Sequence, residues 1–202
     1  MCSSNRMRSH TRIAAFCLTA LILCIMPVAG ITFSATVDED GKRYYAAVLV
    51  NNTDRYELIQ PGMVGERIPL ETKNLTVRNE TSPLTLTPDR GILTFPKGNY
   101  SISYESAVLS NTMQFLFTEP ANVTVSVPHP FMVTNPLLTS IQPSGSKLEA
   151  GNNTTNISWN QVRSVEIRYY DEGQEHLLFL FAQFWLIIAV VLLLPFFLSR
   201  NN

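Results

Sequence analysis

Asn122-Val123-Thr124-Val125-Ser126-Val127 alternates polar and apolar side chains without a break. In an extended backbone successive side chains face opposite ways, so the three valines share one side and Asn122 takes the other. The same period returns along the chain. Tyr100, Ile102 and Tyr104 face in and Asn99 faces out; Leu75 and Val77 face in and Asn74 faces out; Ile157 and Trp159 face in and Asn156 faces out. Each of these four asparagines opens an N-x-S/T triplet, so the period that predicts a buried core also puts candidate sugar acceptors on the wet face.

Working outward from these runs, short β-rich segments alternate with turn signals. The predicted strands cover residues 31–37, 44–50, 56–59, 70–77, 84–86, 92–95, 100–104, 115–117, 123–127, 157–159 and 165–169. Residues 44–50 are apolar on both parities and read as a central strand buried on two faces. Asp38-Glu39-Asp40-Gly41 and Asn51-Asn52-Thr53-Asp54 read as turns, and Pro96-Lys97-Gly98-Asn99 as a hairpin turn. Pro61-Gly62 and Pro69 bound a loop. Residues 128–151 are rich in Pro, Ser and Gly, and form an ordered loop or a crossover. No apolar period of 3.6 is sustained before Gln174. The expectation is an all-β, β-sandwich-like domain over residues 31–176, with roughly nine to eleven strands. That length supports a two-layer core. No cysteine falls within it, because Cys2, Cys17 and Cys24 all precede it, so stability comes from apolar burial.

Charge and hydropathy locate the domain. Hydrophobic residues make up 46% of the 202 and charged residues only 15%. All 16 acidic residues lie between Asp38 and Glu175, with 11 of the 15 basic ones, which leaves that stretch at -5. Arg6, Arg8, Arg12 and Arg200 stand at the two ends, each next to an apolar run, as for flanks held on the cytoplasmic side. Residues 13–29 form the first run; with the arginines before it and Val28-Ala29-Gly30 at its end it reads as an export signal, cut after Gly30. Its length leaves an uncleaved anchor open. Cys24 invites a lipoprotein reading, although Leu23 stands where a small residue is usual. Residues 177–198 form the second run, with Gln183 as the strongly polar member. As a helix they reach ~33 Å, enough to cross a bilayer core of ~30 Å. Residues 171–176 are a short acidic link, suited to the outer side of the membrane. The expected organisation is a signal peptide or signal anchor over 1–30, the β domain over 31–176, a transmembrane α-helix over 177–198 and a cytoplasmic tail over 199–202.

Eight N-x-S/T triplets begin at Asn51, Asn74, Asn79, Asn99, Asn122, Asn152, Asn153 and Asn156, against about two or three by chance in a stretch of this composition. All lie in the segment placed outside, and they are candidate N-glycosylation sites, with Asn152 and Asn153 too close for both to be used. Catalytic, cofactor and metal sites are not expected. His129, between two prolines, reads as an exposed loop residue, and His176 as an interface residue. No G-x-S-x-G elbow, phosphate-binding loop or dinucleotide fingerprint occurs. Asp38-Glu39-Asp40-Gly41 lacks the spacing of a calcium loop. No basic surplus exists to hold nucleic acid. Tyr44, Tyr45, Tyr56, Tyr100, Tyr104, Trp159, Tyr169 and Tyr170 fit core and cross-strand packing better than a ligand surface.

The segments Phe95-Pro96-Lys97-Gly98-Asn99-Tyr100-Ser101-Ile102-Ser103-Tyr104 and Val123-Thr124-Val125-Ser126-Val127-Pro128, then Asn135-Pro136-Leu137-Leu138 and Ile141-Gln142-Pro143-Ser144-Gly145, resemble an uncharacterised family of archaeal surface proteins. The ending is the most distinctive part: Ile157-Ser158-Trp159, Val165-Glu166-Ile167-Arg168-Tyr169-Tyr170 and the terminal apolar run. The resemblance covers about the last half of the chain. It implies an exported, membrane-anchored archaeal protein with a domain of unknown function, and carries over no catalytic residues. Some similar proteins begin with a lipoprotein-type signal, from which Leu23 departs.

These readings converge on a single-pass cell-membrane protein, ectodomain outside and C-terminus cytoplasmic. It binds or structures rather than catalyses, and its partners are the lipid bilayer and an envelope or membrane protein. The alternatives are an accessory subunit of a membrane complex, joined through Gln183, and an extracytoplasmic hydrolase built on distant carboxylates.

Overall fold

The computed structural model describes residues 30–200 except 63, 80, 81 and 152. The expected export signal, its cysteines and the tail residues 201–202 therefore lie outside the described residues. The elements are β1 (Ile31–Val37), β2 (Arg43–Glu57), β3 (Ile59–Pro61), β4 (Arg67–Pro69), β5 (Lys73–Asn79), β6 (Pro83–Leu84), β7 (Ile92–Ala107), β8 (Thr112–Pro128), β9 (Ser140–Gln142), β10 (Lys147–Ala150), β11 (Thr154–Arg168) and α1 (Glu172–Arg200). One nine-stranded sheet runs β10-β11-β8-β1-β2-β7-β5-β6, with β9 also paired to β11; β3 and β4 form a separate ribbon. β1 and β8 are parallel, and the other pairs are antiparallel.

The mostly-β chain with one C-terminal apolar helix is as the sequence predicts. The strand boundaries are not. Residues 44–50 and 56–57 belong to one strand, β2; 92–95 and 100–104 are both β7; 115–117 and 123–127 are both β8; 157–159 and 165–168 are both β11. Asn51-Asn52-Thr53-Asp54 and Pro96-Lys97-Gly98-Asn99, expected as turns, are bends inside continuous strands. Between β2 and β7 the register shifts on either side of Thr53, next to Asn52 at φ 56°. Between β11 and β8 it shifts on either side of Val162, next to Gln161 at φ 55°. An extra residue in one strand of a pair bends it and adds twist.

The bends fold the sheet over on itself. In the sheet Phe33 of β1 stands opposite Val123 of β8. Yet its ring lies 4.6 Å from Phe115 and 5.2 Å from Phe117 of the same strand. A straight strand would carry Phe115 ~26 Å from Val123. The first half of β8 has therefore doubled back across the face of β1, and Tyr44 of β2 meets Phe115 as well, at 5.3 Å. The core fills the space between. Alternate residues of β1 are buried from Ile31 to Val37, and Val48, Leu93, Ile102, Val125, Ile157 and Ile167 are fully buried with them. One continuous sheet and a small ribbon thus take the place of the two separate sheets expected.

β2 is a central strand, as expected, but not one buried on two faces. Tyr44, Ala46, Val48 and Val50 point inward, while Tyr45 is 43% and Leu49 51% exposed. The remaining large aromatics of the domain named above are core residues. The segment 128–151 is an ordered connection: Met132 bridges to Tyr170, and β9 and β10 pair with opposite ends of β11.

The helix begins five residues before the run expected to span. Asp171 caps it, its Oδ1 accepting the Gln174 N–H at 2.8 Å, and Glu172 and Glu175 sit in the first turn, where the helix dipole favours them. The acidic link expected over 171–176 is thus a cap and a first turn. The window Glu172–Leu194 has mean hydropathy 2.9 and no part of it is buried by protein. It is long and apolar enough to cross a membrane.

Tyr169 closes the domain above this helix. Its hydroxyl donates to the Gly41 carbonyl at 2.6 Å in a buried bond, and Gly41 sits at φ 67° where a Cβ would strike the Phe131 ring. Burial pushes the Tyr169 hydroxyl up to about 12, with Asp40 adding to the shift, and burial likewise takes Tyr44 to about 12. Tyr169→Phe strands a buried carbonyl and is expected to cost about 1–3 kcal/mol, read from urea unfolding of the full chain in detergent. Because these tyrosines hold their protons more tightly folded than unfolded, they leave stability intact below pH 10 and withdraw it as pH rises toward 12. Denaturation midpoints across that window should fall.

Candidate functional site

The fold-over gives the domain two unlike ends. The first carries α1. Tyr169 N–H donates to Asn111 O at 3.1 Å, Val108 N–H to Lys42 O at 2.8 Å, and Met132 N–H to Tyr170 O at 2.8 Å. Asn135 N–H donates to the Tyr170 hydroxyl at 3.1 Å, and Asn135 Nδ2 to Glu175 Oε1 in the first turn of the helix at 3.4 Å. The β1–β2 turn, the β7–β8 turn and the loop after β8 are thereby gathered around the helix start. Two of their leucines are bare: Leu109 is 72% and Leu137 79% exposed.

The second end lies at the bends, at the opposite end of β1. There a cleft of about 500 Å³ is lined by Asn51, Thr53, Asp54, Arg55, Thr118 and Glu119, with Gly30 and Ile31 at its side. Two carboxylates, one guanidinium and several small polar groups suit recognition of a polar partner. His129, the histidine the sequence sets inside the domain, is exposed and stands at the helix-bearing end, where its N–H donates to Asn153 O. Among the described residues no group of three or more His, Cys, Asp or Glu is placed to hold a metal.

The sequons divide between these ends. Asn51, Asn79 and Asn99 line one shallow depression of about 330 Å³ with Thr32 and Leu49. Asn122 stands opposite Thr32 in the sheet, which stands opposite Leu49. Sequons up to 71 positions apart, Asn51 and Asn122, thus meet at the bent end. The parity reading holds: Asn74, Asn99 and Asn122 are exposed and Asn156 half-buried, none of them on the core side. Asn74 Nδ2 is engaged by Glu105 Oε1 at 2.7 Å, and Asn156 Oδ1 accepts from Ser126 at 2.7 Å. Asn153 is exposed in the approach to β11, and Asn152 lies outside the described residues.

Two of these asparagines do structural work that spacing did not reveal. Asn99 Oδ1 accepts the Asn52 N–H at 2.9 Å. Asn122 Oδ1 accepts the Gln161 N–H at 3.2 Å and its Nε2 at 3.3 Å. A bulge leaves a backbone N–H without a ladder partner, and at both bends a sequon side chain supplies it. The middle of the outer face carries a row of small, mostly hydroxylic residues. Ser158, Thr124, Ser34, Ala47, Ser103 and Thr76 form one row across six strands.

An all-β domain folded from one bent sheet, with a polar cleft at one end and an apolar helix at the other, is the class of protein these observations define. The family of unknown function DUF5803 matches residues 31–199, and the chain belongs to it. An uncharacterised family is what the resemblance of the chain's second half implied. No curated protein matches. Among solved structures, an aminopeptidase N family protein from Idiomarina loihiensis is similar at 10% identity and a TM-score of 0.42, over 68% of this chain and 29% of that one. The chain thus spans under a third of that protein's length, and a likeness of this size assigns no activity.

Asn99→Ala and Asn122→Ala, made in a host without N-glycosylation, are each expected to lower stability by about 1 kcal/mol by stranding a bulge N–H. Aspartate at either site keeps the acceptor and should restore most of the loss in the same unfolding assay.

Proposed function

We propose that this is a membrane-anchored protein of an archaeal cell surface, with its β ectodomain outside and its C-terminus in the cytoplasm. The ectodomain, sandwich-like through its folded sheet, binds or structures rather than catalyses, and carries N-linked glycans on its outer end. The observation that carries the reading is the join at Tyr170. The helix starts with no spacer, and Asn135 ties the loop after β8 to the helix's first turn. The helix-bearing end therefore rests on the bilayer, and the cleft points away from it together with the sequon depression beside it, the two sharing Asn51. Leu109 and Leu137 contact the interfacial lipid, where apolar side chains are stabilised and where their exposure in water has no other cover. Arg200 beyond the apolar run supports a cytoplasmic C-terminus. Glycosylation is supported by the placing of Asn51, Asn79, Asn99 and Asn122 together on the face turned outward.

A second reading, an accessory subunit of a membrane complex, is favoured by Gln183, a strongly polar side chain exposed within the apolar run 177–198. Stable co-purification in mild detergent that is lost in Gln183→Leu would select it.

Protease added to intact cells should digest the domain as completely as in lysed cells; a domain shielded until lysis would sink the anchoring topology. Polarity-sensitive fluorophores at Leu109→Cys and Leu137→Cys should be quenched by lipid-borne quenchers in reconstituted vesicles, while one at Glu119→Cys, beside the cleft, should not.

A further inference from the structure

The three barest large apolar side chains among the described residues of the β domain are Val64 at 90%, Leu137 at 79% and Leu109 at 72% exposed. Such residues scattered singly over a surface are ordinary, but these three share one end of the domain. Leu109 and Leu137 stand at the helix-bearing end, and the course of the chain brings Val64 to the same level. Arg55 of β2 and Thr118 of β8 both line the outer cleft. From Arg55 the chain turns back toward the helix-bearing end and continues into β3; traced backward from Thr118, β8 leads to the turn at Leu109. β3 packs beside β8. Ile59, four residues after Arg55, shares a narrow internal void with Gln114, four residues before Thr118. Val64 and Leu109 are each nine residues from those two cleft positions, so both lie up to ~30 Å from the cleft at ~3.3 Å per residue.

The ribbon that carries Val64 is fixed at its root. Leu58 is buried; its N–H donates to Gly91 O at 2.6 Å, and its carbonyl accepts the Leu70 N–H at 2.9 Å. Pro61 stands opposite Arg67 across the ribbon, and the Arg67 guanidinium lies 3.8 Å from the Glu57 carboxylate of β2. The tip is closed on itself. Gly62 N–H donates to Glu66 O at 2.7 Å, Gly65 N–H to Gly62 O at 3.0 Å, and Val64 N–H to Glu66 Oε2 at 3.0 Å. Gly62 makes room for that carboxylate, which a Cβ there would strike, and Gly65 turns the chain at φ 86°. These three N–H groups are therefore paired, as removal from water demands. The acidic side chain of the tip is folded inward, and Val64 is presented outward.

We propose that the β3–β4 ribbon is a membrane finger, which seats Val64 at the boundary between lipid headgroups and acyl chains, level with Leu109. This rests on the reading that α1 spans the membrane and that the helix-bearing end lies against it. Under that reading the bilayer already lies beneath the tip, and lipid is the occupant that covers Val64, Leu109 and Leu137 together. An apolar side chain at that boundary leaves water without drawing an unpaired polar group after it. The finger also stands to one side of the helix. α1 follows the end of β11, β8 is the next strand over, and β3 lies against β8. The tip and the helix therefore meet the membrane at separate points, and two points of support resist tilting of the domain where one does not.

The test uses the full chain carrying Cys2→Ser, Cys17→Ser and Cys24→Ser, which removes its three thiols, reconstituted in phosphatidylcholine vesicles. A polarity-sensitive fluorophore is attached at Val64→Cys, Leu109→Cys or Glu119→Cys. The label at Val64 should be quenched by spin-labelled lipid as strongly as the label at Leu109, and sheltered from aqueous iodide; the label at Glu119 should show the reverse. Lipid quenching at Leu109 with iodide quenching at Val64 overturns the finger and leaves the anchoring reading intact. Iodide quenching at both overturns that reading and the finger with it. A Val64 label sheltered from both quenchers shows that protein covers the tip, which also overturns the proposal. Because Val64 is 90% exposed, Val64→Asp leaves the fold intact, and it should speed the anisotropy decay of the Glu119 label. An unchanged decay overturns the second point of support.

Discussion

Everything in this architecture turns on four strands that are too long to stay straight. β2, β7, β8 and β11 run for 15 to 17 residues, beyond the usual five or six by about threefold. Laid flat they would expose Phe33, Tyr44 and Phe115 to water. Bent at Asn52 and Gln161 they bring these rings together, and burying each is worth about 1.5–3 kcal/mol. The bend has its own cost, a backbone N–H taken out of the ladder at each bulge. The carboxamides of Asn99 and Asn122 remove that cost by accepting those two N–H groups. Both halves of the sheet use the same device, with the same donor and acceptor chemistry and nearly the same positive φ.

The bend also divides the functions of the two ends. Because each long strand leaves the helix-bearing end and returns to it, the turns collect there: residues 38–42, 108–111 and the loop after β8 surround Tyr169 and Tyr170. The other end, among the described residues, holds the bends and the start of the β5–β6 connection at Asn79. A domain built this way has a base and a crown fixed by topology. The base is joined to an apolar helix without a spacer, so the crown's distance from the helix is set by strand length rather than by a flexible linker.

Inside, aromatic and branched residues interlock. On the outer face, Ser, Thr and Asn recur, with Tyr45, Leu49 and Ile92 among the large exceptions. Charged groups are sparse in the centre of this face, Glu105 and Arg78 sitting toward β5. Such a face neither repels a second sheet by charge nor offers one a long free edge, since β1, β2 and β8 are all paired on both sides. Bulky groups at Asn51, Asn79, Asn99 and Asn122 would hold other surfaces away from Leu49.

The amino-acid sequence by itself determined what is local. Period-two alternation around Val125, Ile102 and Val77 fixed which side chains are buried, because each depends only on its neighbours one and two places away. The terminal apolar run fixed the helix, and the parity of Asn74, Asn99, Asn122 and Asn156 fixed their side of the sheet. What the sequence could not determine is continuity and assembly. Asn51-Asn52-Thr53-Asp54 carries turn-forming residues, and whether such a segment reverses the chain or merely kinks a strand depends on a partner 47 residues away, Asn99. Likewise the cleft draws on Asp54 and Glu119, and the sequon cluster on four different strands, and no local pattern encodes a meeting of that kind. Side-chain facing is decided by adjacent bonds, but the joining of two half-strands into one is decided by hydrogen bonds across the whole sheet.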